Sequence, residues 1–186
     1  MRKKSITLYT FYELSEDKKE KVREQFRDVN VEDPDMWAEP VLEEARAHLE
    51  AQGFQGPEIY FDVSPVQGRG IYFNAALDMP ELIKSYNLDP GKMEPEEIVG
   101  TVKGSDRPGV TFDSLDLEFE GDREDEETDK LEEMEDQLKE ICKEEARKIF
   151  RELEEAEDHA ISDEAVEDFI VNNEIEFDKN GHVFKH

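Results

Sequence analysis

From Arg123 to His159 the chain contains no glycine and no proline, and most of its residues are strong helix formers. A run this long and unbroken predicts a single helix of about ten turns. Advancing about 100° per residue from Leu131, the residues Met134, Leu138, Ile141, Cys142, Ala146, Ile149, Leu153, Ala156 and Ala160 all fall within about 80° of one direction. They form one continuous apolar stripe, so the helix needs a sheet or a second helix to dock on.

The opposite side of this helix carries Asp122, Glu126, Asp129, Glu133, Asp136, Glu140 and Glu144. Its centre has no Lys or Arg before Arg147, and Lys130, Lys139 and Lys148 fall on the flanks, where their stems are expected to cover the edges of the stripe. The result is a ladder of like charges about 5–6 Å apart, and each like pair is destabilising by a few tenths of a kcal/mol. The acid is localised. Residues 113–178 hold 29 acidic and 7 basic residues, whereas the rest of the chain holds 22 and 16, for a total net charge of −28. Salt adaptation spreads acid over a whole surface and depletes lysine, which is not the pattern here. The ladder from Asp129 to Glu144 spans about 22 Å at 1.5 Å per residue. Its charge density is of the order of one DNA strand, with a phosphate every ~3.4 Å. Such a face suits a cationic protein surface and repels nucleic acid and anionic lipid.

The remaining elements predict an α+β domain. Ile6 to Tyr12 has the character of a strand. Ser15 caps a helix over Glu16 to Arg27 that places Val22 and Phe26 on one face. Asp33-Pro34 opens a helix bearing Trp37, Val41, Leu42, Ala45 and Leu49, which stops at Gly53 and tolerates Pro40 near its start. Strands are expected at Glu58 to Val63, Ile71 to Ala76 and Val99 to Lys103, a short helix at Met79 to Tyr86, and a loop at Pro90 to Pro95. Val110 to Phe119 alternates as a strand with one slip, read as a bulge. After the long helix, Ser162 caps another with Val166, Phe169 and Ile170 on its apolar face. Asp178-Lys179-Asn180-Gly181 then turns a closing hairpin. The fold class is therefore α+β: a mostly antiparallel sheet with N-terminal helices, a long acidic amphipathic C-terminal helix and a terminal β-hairpin. Residues 1–121 form the α+β core, and 122–186 an acidic helical segment with the hairpin, packed on the core as one domain.

Enzymatic signatures are absent from the sequence. The four histidines, His48, His159, His182 and His186, have no metal spacing, and Cys142 lies on the apolar stripe as a small core residue. No Ser/His/Asp pattern or phosphate loop occurs. Gln67-Gly68-Arg69-Gly70 lacks the following helix of a dinucleotide site. Asp116 to Glu127 has calcium-loop spacing, but it uses Glu118 and Glu120 where Asp or Asn is usual, and the segment before it alternates like a strand. We expect no cofactor and no metal. A lone cysteine and the lack of a long apolar run fit a cytoplasmic protein with no signal peptide or membrane span.

Three stretches carry a resemblance to a known family. They are Tyr9-Thr10-Phe11-Tyr12-Glu13-Leu14-Ser15-Glu16-Asp17-Lys18, Gly53-Phe54 leading to Ile59-Tyr60-Phe61, and Gln67-Gly68-Arg69-Gly70-Ile71-Tyr72-Phe73. Over about residues 6–76 the chain resembles a group of small proteins encoded by tailed bacteriophages and prophages. It departs from them at Arg69, where they usually have Asp, and at Pro65-Val66, where an aromatic is common. The resemblance implies a phage or mobile-element origin and supplies no reaction. In size and charge, though in no motif, the chain is also similar to phage acidic proteins that imitate DNA. The expectation is a non-enzymatic inhibitor in the host cytoplasm. Its partner is the basic surface of a host defence or nucleic-acid-binding protein, and its contacts are Asp122, Glu126, Asp129, Glu133, Asp136, Glu140 and Glu144. The alternative is a homodimeric scaffold pairing through the Leu131–Leu153 stripe, with acids that only solvate it.

Overall fold

A computed structural model describes residues 7–63, 69–105, 107–121 and 125–184. The order of elements is a 3₁₀ turn (Phe11–Glu13), α1 (Glu16–Phe26), α2 (Pro34–Trp37), α3 (Glu39–Gln52), β1 (Phe54–Asp62), β2 (Gly70–Leu77) and α4 (Met79–Tyr86). A second 3₁₀ turn (Pro95–Glu97), β3 (Ile98–Gly104), β4 (Gly109–Val110), β5 (Phe112–Phe119), α5 (Asp125–Ala160) and α6 (Asp163–Asn172) follow. The class is α+β, as expected. The chain divides into two compact units, Met1–Glu39 with Glu155–His186, and Pro40–Glu154. The division falls inside α5.

In the first unit, α1 and α6 enclose a core of Phe11, Leu14, Val22, Val166, Ile170 and Phe177. Arg23 Nε donates to Glu167 at 2.7 Å and Arg27 Nη1 to Asp163 at 2.6 Å, tying α1 to α6. Ser162 caps α6 by accepting from the Ala165 N–H. Of the strand expected over Ile6 to Tyr12, Ile6 lies outside the described residues, and among the rest only Tyr9 forms a bridge, to Phe177. The reason is Glu13, whose carboxylate accepts from both the N–H and the hydroxyl of Thr10 and folds the chain into a turn. Among the described residues the closing hairpin is equally short, with a single bridge from Phe177 to Val183, and Lys185 of the expected strand lies outside them.

The second unit is built on a sheet of order β1-β2-β3-β5, antiparallel throughout, with β4 alongside β2 in parallel. One face buries Ile71, Phe73, Ala75 and Leu77 of β2, Ile98 and Val102 of β3, and Leu115 and Leu117 of β5. The apolar side chains of α3, of α4 and of α5 up to Leu153 are buried in the same unit. The other face of the sheet shows Glu58, Tyr60, Val99 and Glu118 to solvent.

Two expected elements differ. The helix opening at Pro34 breaks after Trp37, because Pro40 has no N–H to return to the carbonyl of Met36. The slip before Phe119 is a break at Thr111 followed by a bulge, in which Lys103 pairs Ser114 while Gly104 pairs Phe112. The piece cut off becomes β4. Glycine is required where β4 meets β2, since a Cβ on Gly70 would lie 2.6 Å from the carbonyl oxygen of Gly109.

Candidate protein-binding face on helix α5

The apolar stripe of α5 is consumed inside the chain. Leu131, Met134, Leu138, Cys142, Ala146, Ile149, Leu153 and Ala160 are buried, and Ile141 and Ala156 are half-buried. The route to a homodimer through Leu131–Leu153 is therefore closed, because those side chains are already covered. Burial of one side fixes which side faces water. Glu126, Asp129, Glu133, Asp136, Glu140 and Glu144 are all exposed, with Asp136 the most open of the ion-paired acids at 83%. Asp122, the seventh expected contact, lies outside the described residues.

The lysines do not sit where the sequence suggested. Lys130 reaches Glu133 at 2.9 Å, Lys139 reaches Asp136 at 3.4 Å and Lys143 reaches Glu140 at 2.6 Å. Lys92, from the segment between α4 and β3, meets Glu126 at 2.7 Å. The expected lysine-free strip is thus laced with cations that swing outward from its flanks. A lysine stem easily spans the 5–6 Å between helical neighbours, and the acids offer a better partner than an apolar edge. Asp129 and Glu144 have no ion pair among the described residues. Lys92 holds the Glu126 carboxyl below its ordinary value, and Lys143 does the same for Glu140, while the charge of Asp136 acts on Glu140 in the opposite sense.

These bridges also fasten α5 to its surroundings. Lys130 bonds Asp89 at 2.9 Å as well as Glu133. Glu135 Oε1 accepts from the N–H of Leu117 on β5, an edge strand of the sheet, at 3.1 Å. That contact blunts an exposed strand edge. Beside the ladder, Tyr86, Leu88 and Ile141 line an open groove of about 540 Å³ whose rim carries Glu133, Asp136, Gln137, Glu140 and Glu144.

One residue of this region escaped the sequence reading. Glu145 is only 3% exposed, yet its carboxylate accepts from Lys148 Nζ at 2.8 Å and from the Tyr86 hydroxyl at 3.3 Å, and lies 3.2 Å from His48 Nε2. Three partners from three helices satisfy a buried anion. The signal was present in the sequence: Glu145 falls about 40° from Leu131 by helical rotation, inside the apolar stripe. Burial raises the Tyr86 hydroxyl above its ordinary value, and the charge of Glu145 adds to that. Burial likewise pushes the Cys142 thiol up to about 12, which keeps it an inert core group.

The other constellations do not converge. Asp116 and Glu118 lie along extended β5, where residues two apart are separated by about 7 Å, so the segment does not curl as a calcium loop would. Of Gln67-Gly68-Arg69-Gly70, the first two residues lie outside the described residues, and Arg69 is paired with Glu154 of α5. Among the described residues no three His, Cys, Asp or Glu side chains gather to hold a metal. No described helix is long and apolar enough to cross a membrane. No known family model, curated protein or solved structure matches the chain.

Proposed function

We propose that this protein is a non-enzymatic inhibitor that occupies the basic, nucleic-acid-binding surface of another protein through the acidic face of α5. The observation that carries this reading is the division of one helix. Its apolar side is buried, and six described ladder carboxylates stand exposed on the other side. The internal ion pairs do not cancel that face. Residues 125–144 hold ten acids against three lysines. Exposed bridges are worth about 0–1 kcal/mol each, so a partner's cations exchange with them readily. Nucleic-acid channels concentrate Lys and Arg, and complementary fields raise association rates by orders of magnitude. The protein itself, at net −28, does not bind nucleic acid.

The resemblance of residues 6–76 to tailed-phage proteins supports a host defence factor as the target and the host cytoplasm as the place of action. The test is capture from bacterial lysate at low and high salt, followed by competition of the captured protein with duplex DNA. Capture of a DNA-binding protein is expected to fall steeply with salt. It should vanish when Asp129, Glu133, Asp136, Glu140 and Glu144 are all changed to Lys. Undiminished capture by that fivefold variant overturns the proposal.

A further inference from the structure

The groove beside the ladder has a composition that the ladder alone does not. The aliphatic side chains of Leu88 and Ile141 form its floor, the ring of Tyr86 a wall, and its rim carries four carboxylates beside Gln137. Tyr86 is held in place from behind. Its hydroxyl donates to buried Glu145 at 3.3 Å, and its ring meets Phe54 edge-on at 6.3 Å between centroids. Lys148 and His48 engage the same carboxylate, so Glu145 is supported from three sides. The ring is therefore a fixed wall. On the rim, Glu133, Asp136 and Glu140 share weak surface bridges with lysines, while Glu144 has no ion pair among the described residues.

An occupant must match an apolar floor, an aromatic wall and a negative rim together. A lone metal ion matches only the rim. An apolar segment matches only the floor and leaves the carboxylates against hydrocarbon. An arginine side chain matches all three. Its methylene stem lies on Leu88 and Ile141, its guanidinium plane stacks on the Tyr86 ring, and its N–H groups donate to the rim. Lysine matches less well, because its strongly hydrated ammonium lacks a plane to stack and a fork to donate from.

We propose that this groove receives an arginine from a basic segment of the protein partner, and that Tyr86 makes the face prefer arginine over lysine. This rests on the acidic-face reading above and names the chemistry of the partner.

The test uses the full chain with fluorescein-labelled pentaarginine and pentalysine peptides of equal length, followed by anisotropy at low salt. The wild type is expected to bind pentaarginine more tightly by roughly three- to thirtyfold, the span of a guanidinium–aromatic contact. Tyr86→Leu should bring pentaarginine binding down to the level of pentalysine, with a thermal unfolding scan of the variant to check that it is folded. Glu144→Gln, a surface change that carries no folding risk, should weaken both peptides, whereas Asp168→Asn on α6 removes the same charge and should weaken neither.

Equal binding of the two peptides by the wild type, or an arginine preference that survives Tyr86→Leu, overturns the groove. If either occurs while the fivefold ladder reversal still abolishes binding, the acidic-face reading stands without it. If the ladder reversal leaves both peptides bound, that reading falls and takes the groove with it. Self-association, seen as a sedimentation coefficient that rises with concentration and falls in Tyr86→Leu, would assign the groove to a second copy and overturn the arginine proposal.

Discussion

If the α5 face is kept acidic for a partner, as proposed, it works against its own fold, so removing one of its charges should stabilise the protein while weakening binding. Asp129 is the sharpest place to look. It is exposed, has no ion pair among the described residues, and has Glu126, Glu132 and Glu133 at helical steps of three and four. Each like-charge pair at that spacing is destabilising by about 0.2–0.5 kcal/mol. Lys92 and Lys130 already offset part of the charge on Glu126 and Glu133. The net gain on Asp129→Asn is therefore about 0.5–1 kcal/mol, with Asn chosen because its helix propensity is close to that of Asp. In urea this moves the midpoint upward by a few tenths molar. In a thermal scan it amounts to about 2–4 °C per kcal/mol for a chain of this size. Helical circular dichroism reads both. The gain should fade in about 1 M salt, where screening acts over about 3 Å. Lys130→Gln should do the reverse. It frees Asp89 and Glu133, lowers stability, and strengthens capture of a basic partner. If Asp129→Asn loses stability, or keeps its gain at high salt, the strip is not self-repelling and the link between charge and function fails.

Two further outcomes check the core and the closing turn. Leu138→Ala deletes a fully buried side chain on the α5 stripe and should cost about 2–5 kcal/mol in chemical denaturation, with the sedimentation of the folded variant unchanged. Asp178 accepts from the N–H groups of His182 and Asn180, which hold its carboxyl down at about 2. A lowered carboxyl stabilises the fold above its ordinary value near 3.9, and that support is lost as pH falls from about 4 to 2. An NMR titration of the Asp178 carboxyl should therefore show a midpoint near 2, and Asp178→Asn should be less stable at neutral pH but no less stable at the acid end.

The fold was legible unevenly in the sequence. The helix Met79–Tyr86 was readable to the residue because its ends are chemically marked: the Asp78 side chain caps it and Asn87 takes the left-handed conformation that ends it. Helix α5 was readable because ten apolar residues kept one period. The strand over Ile6 to Tyr12 was misread because a local device, the Thr10–Glu13 contact, outcompeted the β-branched pattern. Strand β4 was hidden because two residues carry no period, and its pairing with β2 brings Gly109 close against Gly70. At the site, the exposure of the ladder followed from helical geometry alone. The direction of the lysines did not, because a flexible side chain on a flank can turn to either side and the choice is made by the nearest charge. Glu145 was legible as an acid in the stripe, but its partners His48 and Tyr86 lie far away in sequence.

The turning outward of those lysines sharpens what a basic partner must offer. If every ladder acid were bare, any cation would do, and the face would bind polycations without distinction. With Glu126, Glu133, Asp136 and Glu140 already bridged, an incoming cation must displace a lysine that returns to water at little cost, so the exchange is nearly neutral at each acid. The advantage then comes from what the internal lysines lack. A channel built for phosphate holds its cations fixed before contact, so less side-chain entropy is lost on binding, and its apolar walls strengthen each attraction by excluding water. A mobile polyamine in solution has neither property. The same face should therefore prefer a preorganised protein channel to free spermidine, although both are cationic. On the proposed reading, selectivity of that kind would follow from the bridges, and a bare lysine-free strip would not provide it.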